Sequence, residues 1–517
     1  MLFSVAQIRQ IEAEFATTQP QDSLMQRAGD ATARYAEEFL DGKGGRILVL
    51  AGTGNNGGDA WVAARRLQQS WHRVTVVIES ETAEKSLARQ AQTARKEFLS
   101  AQGRLVTAWP EDETHDLILD GLLGIGITRA VTGKMAALIA RANASGVPIC
   151  AIDIPSGLSA DTGAVMGSTM GNAMGNRLGE AIRARNTITF IGAKPGMYTG
   201  DGRDHCGEIR IDTLGVDTSL RQSNNSLLTP EGVAGMAPAR VHNSHKGQFG
   251  TVGVLGGAQG MLGAAVLAAR AALHLGAGKI FLAPLADDAP GFDPLHPEIM
   301  LKKARDLVAR ETLESLVVGP GMGTGDAARN MLAAALKANV PLVLDADALN
   351  LIADGRALQN QLLRRTAPHL LTPHPGEAAR LLQASTSEIQ ADRIKAACTL
   401  ATRFNALVVL KGSGSVIAFP DTTWHINSTG NPGMASGGMG DALAGMLGAL
   451  LAQGLAPEEA LMLGTCLHGA AADRALEQHC GPIGLTASEV IFAAREVLNE
   501  WSSPTAHSRD ADSHHAH

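Results

Sequence analysis

The chain has 517 residues, more than a single hydrophobic core normally serves, so its length predicts at least two domains. Its composition, 45% hydrophobic and 18% charged, is typical of a folded globular protein and argues against a disordered one. The net charge of −7, with no block of Lys or Arg, excludes the basic surface by which proteins usually bind nucleic acid.

The first 40 residues carry apolar side chains at helical spacing. After them, a short apolar run followed by a glycine loop and a helical segment occurs repeatedly. This alternation predicts short, mostly parallel strands covered by helices, which is the α/β class. The predicted strands of the first half are 46–51, 74–78, 117–119, 148–152 and 187–191.

Oxygen-bearing side chains follow three of these strands, in the loop 52–59, at Asp120, and at Asp153 with Ser156. Active sites of such folds lie at the carboxyl ends of strands. Asp, Asn and Ser oxygens suit a hard cation, and a monovalent ion suits a set with few full charges. For any single aspartate, a helix cap or turn former is the better explanation, but three at one sheet edge favour a site.

The loop 52–57 also matches GxGxxG, and Glu79 follows the next strand. An ordinary dinucleotide-binding dehydrogenase is therefore an alternative for the first half. It leaves Asp120 and Asp153 unexplained.

Residues 216–234 are polar and contain proline and small residues, so we predict a linker there, between domains at 1–215 and 235–501. The strand–loop–helix pattern restarts at 250–255 and continues through 316–318, 341–344, 370–371 and 407–410. The polar, histidine-containing end of the chain, 502–517, predicts a disordered tail, with weak metal binding as the lesser alternative.

The most specific pattern of the second half is NPGMASGGMGD at 431–441, directly before the apolar segment 442–455. That segment is shorter than the roughly 20 residues of a membrane span, so it predicts a buried helix. Glycines before a helix present backbone amides to an anion, and Asp441 could take a proton from a hydroxyl attacking a phosphoryl group. A plain helix N-cap is the alternative for Asp441.

Other loops of the second half also follow predicted strands. Lys411–Ser415 (KGSGS) could hold nucleotide phosphates, although it is not a Walker motif and a hairpin turn is its alternative. His374 lies between two prolines, in a loop where functional residues concentrate, but could also be a packed core histidine. Gly323 ends a glycine-rich loop suited to close approach, and Asp345 with Asp347 forms an acidic pair that could hold magnesium or cap a helix.

The first half resembles the NAD(P)H-hydrate epimerase domain over about residues 1–215. The matching motifs are GNNGGD at 54–59, DGLLGIG at 120–126, DIPSG at 153–157, LMQRAG at 24–29 and TFIGAK at 189–194. The resemblance implies a Rossmann-like three-layer domain, with Asp153 as the acid/base group and potassium held by Asn56, Asp120 and Ser156. It implies that the substrate contacts Asn55, Asn56, Gly57, Gly58, Asp59, Gly124, Ile125, Gly126, Ile127, Thr128, Arg129, Ala130 and Asp153.

The second half, over about 235–500, resembles the ADP-dependent NAD(P)H-hydrate dehydratase domain, which implies a ribokinase-like α/β fold. Further matching motifs are SHKG at 244–247, the glycines at 256–257 and 263, and GLTAS at 484–488. The resemblance implies that Asp441 is catalytic, that the hydrate contacts Ala264, Gly323, His374 and Asp441, and that Mg²⁺ assists. It implies that ADP, the phosphoryl donor, contacts Lys411, Gly412, Ser413, Gly414, Ser415 and Gly440.

Together the halves predict an enzyme that epimerises the R- and S-hydrates of NADH and NADPH and then dehydrates the S-hydrate. The alternative is a ribokinase-like kinase of a small alcohol fused to a dinucleotide-binding domain. Five scattered cysteines without a CxxC pair argue against a disulfide framework or structural zinc, and favour a reducing, cytoplasmic compartment. We expect no nucleic-acid partner and no membrane insertion, and the resemblance of the second half implies a homo-oligomer.

Overall fold

The computed structural model describes residues 1–18, 23–78, 89–167, 179–218, 225–479 and 481–503. The chain divides into two compact units, Met1–Asn225 and Ser226–His517. Glu79 and the tail from residue 504 onward lie outside the described residues, so the predictions made for them stay predictions.

The first unit is built on a seven-stranded sheet with the order β3-β2-β1-β4-β5-β6-β7, in which every neighbouring pair is parallel. Its strands are β1 (Arg46–Ala51), β2 (Arg73–Ile78), β3 (Arg104–Val106), β4 (Leu117–Gly121), β5 (Ile149–Ile152), β6 (Asn186–Phe190) and β7 (Glu208–Asp212). Its helices are α1 (Val5–Thr18), α2 (Leu24–Phe39), α3 (Asn55–Gln69), α4 (Arg89–Ser100), α5 (Gly133–Ala144) and α6 (Gly202–His205).

Both faces of this sheet are buried, which explains why its central strands read as continuous apolar runs. Along β1, Val49 packs with Trp61 of α3 on one face, whereas Leu48 and Leu50 pack with Ile139 of α5 on the other. The unit therefore has three layers, helices–sheet–helices, and the predicted parallel α/β fold is confirmed.

The second unit is built on a ten-stranded sheet with the order β11-β10-β9-β12-β13-β14-β15-β16-β17-β8. Its strands are β8 (Ser226–Leu228), β9 (Thr251–Gly256), β10 (Lys279–Pro284), β11 (Met300–Leu301), β12 (Ser315–Val318), β13 (Leu342–Leu344), β14 (His369–Leu371), β15 (Leu407–Leu410), β16 (Val416–Ala418) and β17 (Trp424–Asn427). The pairs β15–β16 and β16–β17 are antiparallel and the others are parallel.

The helices of the second unit are α7 (Pro230–Val233), α8 (Leu262–His274), α9 (Ala304–Val308), α10 (Asp326–Ala335), α11 (Asp347–Asp354), α12 (Arg356–Leu363), α13 (Pro375–Leu382), α14 (Thr386–Ala391), α15 (Arg393–Phe404), α16 (Met439–Ala452), α17 (Pro457–His479) and α18 (Ala487–Trp501). The predicted buried helix is α16, which begins three residues before the predicted segment and is buried from Ala442 to Ala452. Its glycines allow close helix packing, since a Cβ at Gly445 would lie 2.0 Å from the carbonyl oxygen of Ala268 in α8.

The segment 216–234, predicted as a linker, contains β8 and α7. Strand β8 pairs in parallel with β17 at the edge of the second sheet, with Leu227 opposite Ile426. Residues 226–233 are thus part of the second unit, because their backbone completes a sheet edge. Among the described residues, no helix has the length and apolarity needed to cross a membrane.

Candidate active sites

A cavity of about 580 Å³ opens at the carboxyl ends of the strands in the first unit. One wall is helix α1, which contributes Ile8, Arg9, Glu12 and Phe15. The rest of the wall comes mainly from loops that follow β1, β4, β5 and β6, and from the beginning of α2. Its volume falls in the range of small-molecule sites.

Asp153 and Lys194 form a buried ion pair in this cavity. Asp153 directly follows β5 in a left-handed backbone conformation (φ 65°), which a non-glycine residue seldom adopts. Its Oδ1 accepts hydrogen bonds from the Lys194 ammonium and from Thr189 Oγ1 at 3.2 Å. The side chain of Lys194 is 0% exposed and that of Asp153 is 14% exposed, so the carboxylate faces the cavity from a fixed position.

Beneath the cavity, Asp120 at the end of β4 lies in a network of oxygen atoms. Its oxygens accept hydrogen bonds from the backbone amide and hydroxyl of Ser156 at 2.8 and 2.6 Å. Asn56 Nδ2 donates to the carbonyl of Leu123 at 2.8 Å, while its buried Oδ1 has no hydrogen-bond partner among the described residues. Burial raises the pKa of Asp120 to about 6. The structure therefore brings together the three predicted potassium ligands.

Two further carboxyl groups line the cavity. Burial, with Asp153 and Glu12 nearby, raises the pKa of Asp59 well above its usual value. Burial and Asp153 also raise the pKa of Glu12, against the opposing effect of Lys194 and Arg9. The cavity thus combines three carboxyl groups with one buried ammonium, a composition suited to proton transfer.

The predicted contact residues of the first unit separate into two groups. Those lining the cavity are Asn55, Asn56, Asp59, Gly124, Ile125, Gly126, Ile127 and Asp153. Thr128, Arg129 and Ala130 lie beyond its described lining. Gly57 and Gly58 are buried within α3 instead, where a Cβ would meet Gly52 O at 1.9 Å and Met25 Cε at 2.4 Å, so both allow close packing.

In the second unit, glycines precede the buried helix α16. Gly438 is its N-cap residue and has a φ of 89°, a left-handed conformation that favours glycine. Asp441 is the third residue of the helix, and the cap residue Gly438 has no side chain that could accept a hydrogen bond from the first-turn amides. Asp441 is therefore no N-cap, and the amides at this helix end remain available to an anion.

The carboxyl group of Asp441 lies in a charged, buried environment. Burial, together with Asp345 and Asp347, raises its pKa to about 6, although Lys411 acts in the opposite direction. A carboxyl group with this pKa is ionised near neutral pH and still basic enough to accept a proton from a hydroxyl group.

Lys411 lies beside the glycines of α16. Its Nζ donates to Asp345 Oδ1 at 2.7 Å, and the same oxygen accepts a hydrogen bond from Thr372 Oγ1 at 2.7 Å. A Cβ at Gly440 would lie 2.9 Å from Lys411 Nζ. The lysine at the start of the KGSGS loop therefore directs its charge toward Gly440.

The rest of that loop connects the antiparallel strands β15 and β16, so the loop has the geometry of a hairpin turn. Gly412 (φ 145°) lies against the buried guanidinium of Arg393, and its amide donates to Ser415 Oγ at 3.3 Å. Gly414 is also left-handed (φ 59°).

His374 is the N-cap residue of α13. Its Nδ1 accepts the amide of Gly376 at 2.9 Å, and its own amide donates to Glu377 Oε2 at 2.8 Å. Its side chain is 53% exposed, which excludes the packed-core alternative. Burial and the neighbouring Lys411 lower the pKa of His374, so its ring lies close to the charged cluster.

The two remaining residues predicted to contact the hydrate, Gly323 and Ala264, lie in or against the loop after β12. The amide of Gly323 donates to Asp347 Oδ2 at 2.9 Å. Ala264, in α8, lies against the loop after β12. A Cβ added at Gly321 of that loop would lie 3.1 Å from the Cβ of Ala264. Ala346, between the two acids, has a φ of 49°, a strained turn that separates Asp345 from the start of α11.

The sequence interpretation missed two groups and underrated a third. In the sequence, Lys194 stands out only as the end of the motif TFIGAK, and Glu12 belongs to a helical segment without any distinguishing motif. Asp345 was considered as a metal ligand or a cap, whereas its carboxylate binds Lys411 and Thr372. No cluster of three His, Cys, Asp or Glu side chains in the described parts of the chain could hold a metal ion.

Comparison with known proteins gave consistent matches for both units. The family described as YjeF-related protein N-terminus matches residues 21–196, and NAD(P)H-hydrate dehydratase matches 252–493. The chain is 36% identical over 499 residues to the bifunctional NAD(P)H-hydrate repair enzyme Nnr of Escherichia coli, with 95% of this chain and 92% of that protein covered. It is 36% identical over 515 residues to the enzyme of the same name from Coxiella burnetii, with 96% and 99% covered.

Among solved structures, the ADP/ATP-dependent NAD(P)H-hydrate dehydratase from Bacillus subtilis, co-crystallised with ATP and Mg²⁺, is 31% identical to this chain. It covers 54% of this chain and 100% of its own length, with a TM-score of 0.48.

Proposed function

Because this chain belongs to the family of bifunctional NAD(P)H-hydrate repair enzymes, we propose that its two units divide the repair of hydrated NADH and NADPH between them. The first unit interconverts the R- and S-hydrates, and the second dehydrates the S-hydrate with ADP. The observation that carries this proposal is the half-buried carboxylate Asp441 on a glycine-capped helix, with the charge of Lys411 nearby.

In the second unit, Asp441 takes the proton from the hydroxyl group on the hydrated ring, and the oxygen attacks the terminal phosphorus of ADP. AMP leaves, and the amides near Gly438 together with Lys411 stabilise the charge on the transferring phosphoryl group. The ring nitrogen's lone pair then expels phosphate, and loss of a proton from the neighbouring carbon restores the dihydronicotinamide. Phosphorylation is needed because hydroxide is a poor leaving group and phosphate a good one.

We propose that the hairpin loop Lys411–Ser415 and Gly440 contact the nucleotide, and that Ala264, Gly323 and His374 contact the hydrate. The pairing of Asp345 with Lys411 and Thr372, and of Asp347 with the Gly323 amide, leaves neither acid free as a dedicated magnesium ligand. Mg²⁺ would therefore arrive on the nucleotide phosphates, where it neutralises their charge.

In the first unit, we propose that Asp153 is the acid/base group at the hydrated carbon, held in place by Lys194. The beginning of α3 at Asn55 points its amides toward the cavity, which suits the phosphates of a dinucleotide. Residues 124–127 form a second loop in the lining of the cavity and would hold the substrate together with the amides of α3.

The residues proposed for potassium fit a monovalent cation. The buried Oδ1 of Asn56 has no hydrogen-bond partner in the part of the chain that the structure describes, so it could accept a cation. The Nδ2 of the same side chain donates to the carbonyl of Leu123, and the hydroxyl of Ser156 lies 3.2 Å from that carbonyl and 2.6 Å from Asp120 Oδ1. Potassium bound there would supply positive charge beneath the substrate loops. Asn56, Asp120 and Ser156 would hold it, so we propose a potassium-dependent first unit.

A coupled assay tests the function and separates it from the kinase alternative. The full chain is given a mixture of R- and S-NADH hydrates with ADP, and the absorbance of the dihydronicotinamide is followed. We expect both epimers to be consumed and absorbance to return in full. Phosphorylation of a small alcohol with no return of absorbance would support the kinase instead.

We further propose a cytoplasmic location and a homo-oligomer. The described cysteines Cys150, Cys206, Cys398 and Cys466 are free thiols, which suits a reducing compartment. Phe292 and Leu295 of the second unit are 60% and 70% exposed, and such apolar side chains are typical of subunit interfaces. Sedimentation velocity tests the second proposal.

A further inference from the structure

Helix α1 places a carboxyl group on its inward face. Ile8, Ile11 and Phe15 are its buried side chains. Glu12 lies on the same stripe, one turn from Ile8, and lines the cavity beside Ile8 and Phe15. An apolar residue is expected at such a position, so a glutamate there is unexplained by folding.

The carboxyl group of Glu12 has no hydrogen bond and no ion pair with any residue that the structure describes, although it is partly buried. By contrast, Glu14 on the outer face is exposed and accepts a hydrogen bond from Gln10 at 2.9 Å. Asp153 is bound to Lys194. Asp59 is 9% exposed, whereas Glu12 is less deeply buried, so Glu12 is a cavity carboxyl that a ligand can reach.

We propose that Glu12 is a second acid/base residue of the first unit, serving one face of the hydrated ring carbon while Asp153 serves the other. This inference rests on the epimerase function proposed above. The two groups come from different parts of the wall, a helix and a strand end, as a reaction on two faces requires.

The proton and electron balance is complete with these two residues. Glu12 in its acid form gives a proton to the ring hydroxyl, the carbon–oxygen bond breaks, and water leaves as the ring nitrogen's lone pair forms a carbon–nitrogen double bond. Water then adds to the other face, its oxygen bonding to the carbon while Asp153 takes its proton and the electron pair returns to nitrogen. The reverse direction exchanges the roles, and bulk water resets both groups.

The electrostatics agree with this division. Burial and Asp153 raise the pKa of Glu12, which favours the proton-carrying form, whereas Lys194 and Arg9 oppose the shift. Asp59 is the remaining ionisable neighbour from α3, and its own pKa is raised by burial and by these same carboxylates. Asp153, paired with the buried ammonium, stands as the carboxylate partner.

The test measures interconversion of the two epimers by chromatography, using the full chain without ADP so that the second unit cannot consume the S-hydrate. We expect Glu12→Gln to lower kcat for interconversion at least about 100-fold, the usual contribution of a general acid or base. KM should change little, and Glu12→Asp should recover part of the rate. Glu14→Gln, on the same helix but exposed, is the matched control and should interconvert at the wild-type rate.

The pH dependence provides a second readout. In the wild type, kcat/KM for the interconversion should fall as pH rises through the raised pKa of Glu12, and this limb should be absent from the residual activity of Glu12→Gln. Interconversion by Glu12→Gln at the wild-type rate, or a residual profile with the limb unchanged, would overturn the proposal. If the wild type itself fails to interconvert the epimers, the proposed function fails instead.

Discussion

The pKa of Asp441 allows a quantitative prediction for the dehydration step. Burial and the neighbouring acids place this pKa at about 6. In the proposed mechanism the carboxylate form accepts the hydroxyl proton. About a quarter of the groups are ionised at about pH 5.5 and nearly all at about pH 7.5, so kcat/KM should rise about fourfold over this range and then level off. The rate is lost as pH falls, because protonation removes the base.

The assay is the initial rate of absorbance return from purified S-hydrate at low concentration with saturating ADP. Asp441→Asn preserves the size of the side chain but removes the base, so the rate should fall about 10²- to 10⁴-fold at every pH. Asp347→Asn removes a negative neighbour that raises the pKa of Asp441, so the acidic limb should move to lower pH. Asp354→Asn, at the exposed end of the same helix, is the matched control and should leave the profile unchanged.

Two results would refute this reasoning. A rate that is flat from about pH 5.5 to about pH 7.5 would mean that Asp441 is not the titrating base. Undiminished dehydration by Asp441→Asn would mean that the hydroxyl is activated by another group.

Three further outcomes are expected. Asp153→Asn should slow interconversion of the epimers by about 10²- to 10⁴-fold while ADP-dependent consumption of S-hydrate is retained, and loss of both activities would contradict two separate sites. Ser156→Ala removes a hydroxyl from the proposed potassium site, so the K⁺ concentration for half-maximal interconversion should rise at least about tenfold; an unchanged K⁺ titration would argue against that site. Gly445→Ala should lower the unfolding free energy by about 1–3 kcal/mol, because the added methyl overlaps a carbonyl of the facing helix. Urea titrations read by dehydration activity measure this change. Gly235→Ala, where the added methyl meets open space, is the control.

The central strands could be predicted from the sequence because burial on both faces makes them continuous apolar runs, as in β1, β4 and β12. The edge strands could not. β7 (Glu-Ile-Arg-Ile-Asp) is the last strand in the order of the described sheet and has charged residues alternating with isoleucine, as is common for edge strands. β8 could not be predicted, because it lies in a segment whose proline and polar residues are typical of a linker.

The site residues show the same division. The positions of Asp120, Asp153 and Asp441 at the candidate sites could be predicted because a carboxylate in a glycine-containing segment at a strand end or helix start is a local pattern. The positions of Lys194 and Glu12 could not, since they depend on contacts over long sequence separation, such as that of Lys194 with Asp153. A glutamate on the buried stripe of α1 was the one available signal, and it is visible only as a break in helical periodicity.

The pairing of β8 with β17 determines where this protein can be cut. A fragment starting at residue 235 would lack the strand that satisfies the outer backbone groups of β17, and a bare edge of this kind recruits other chains and aggregates. A fragment starting just before Ser226 would keep that strand. Anyone wishing to express the dehydratase half by itself should therefore choose the earlier starting point.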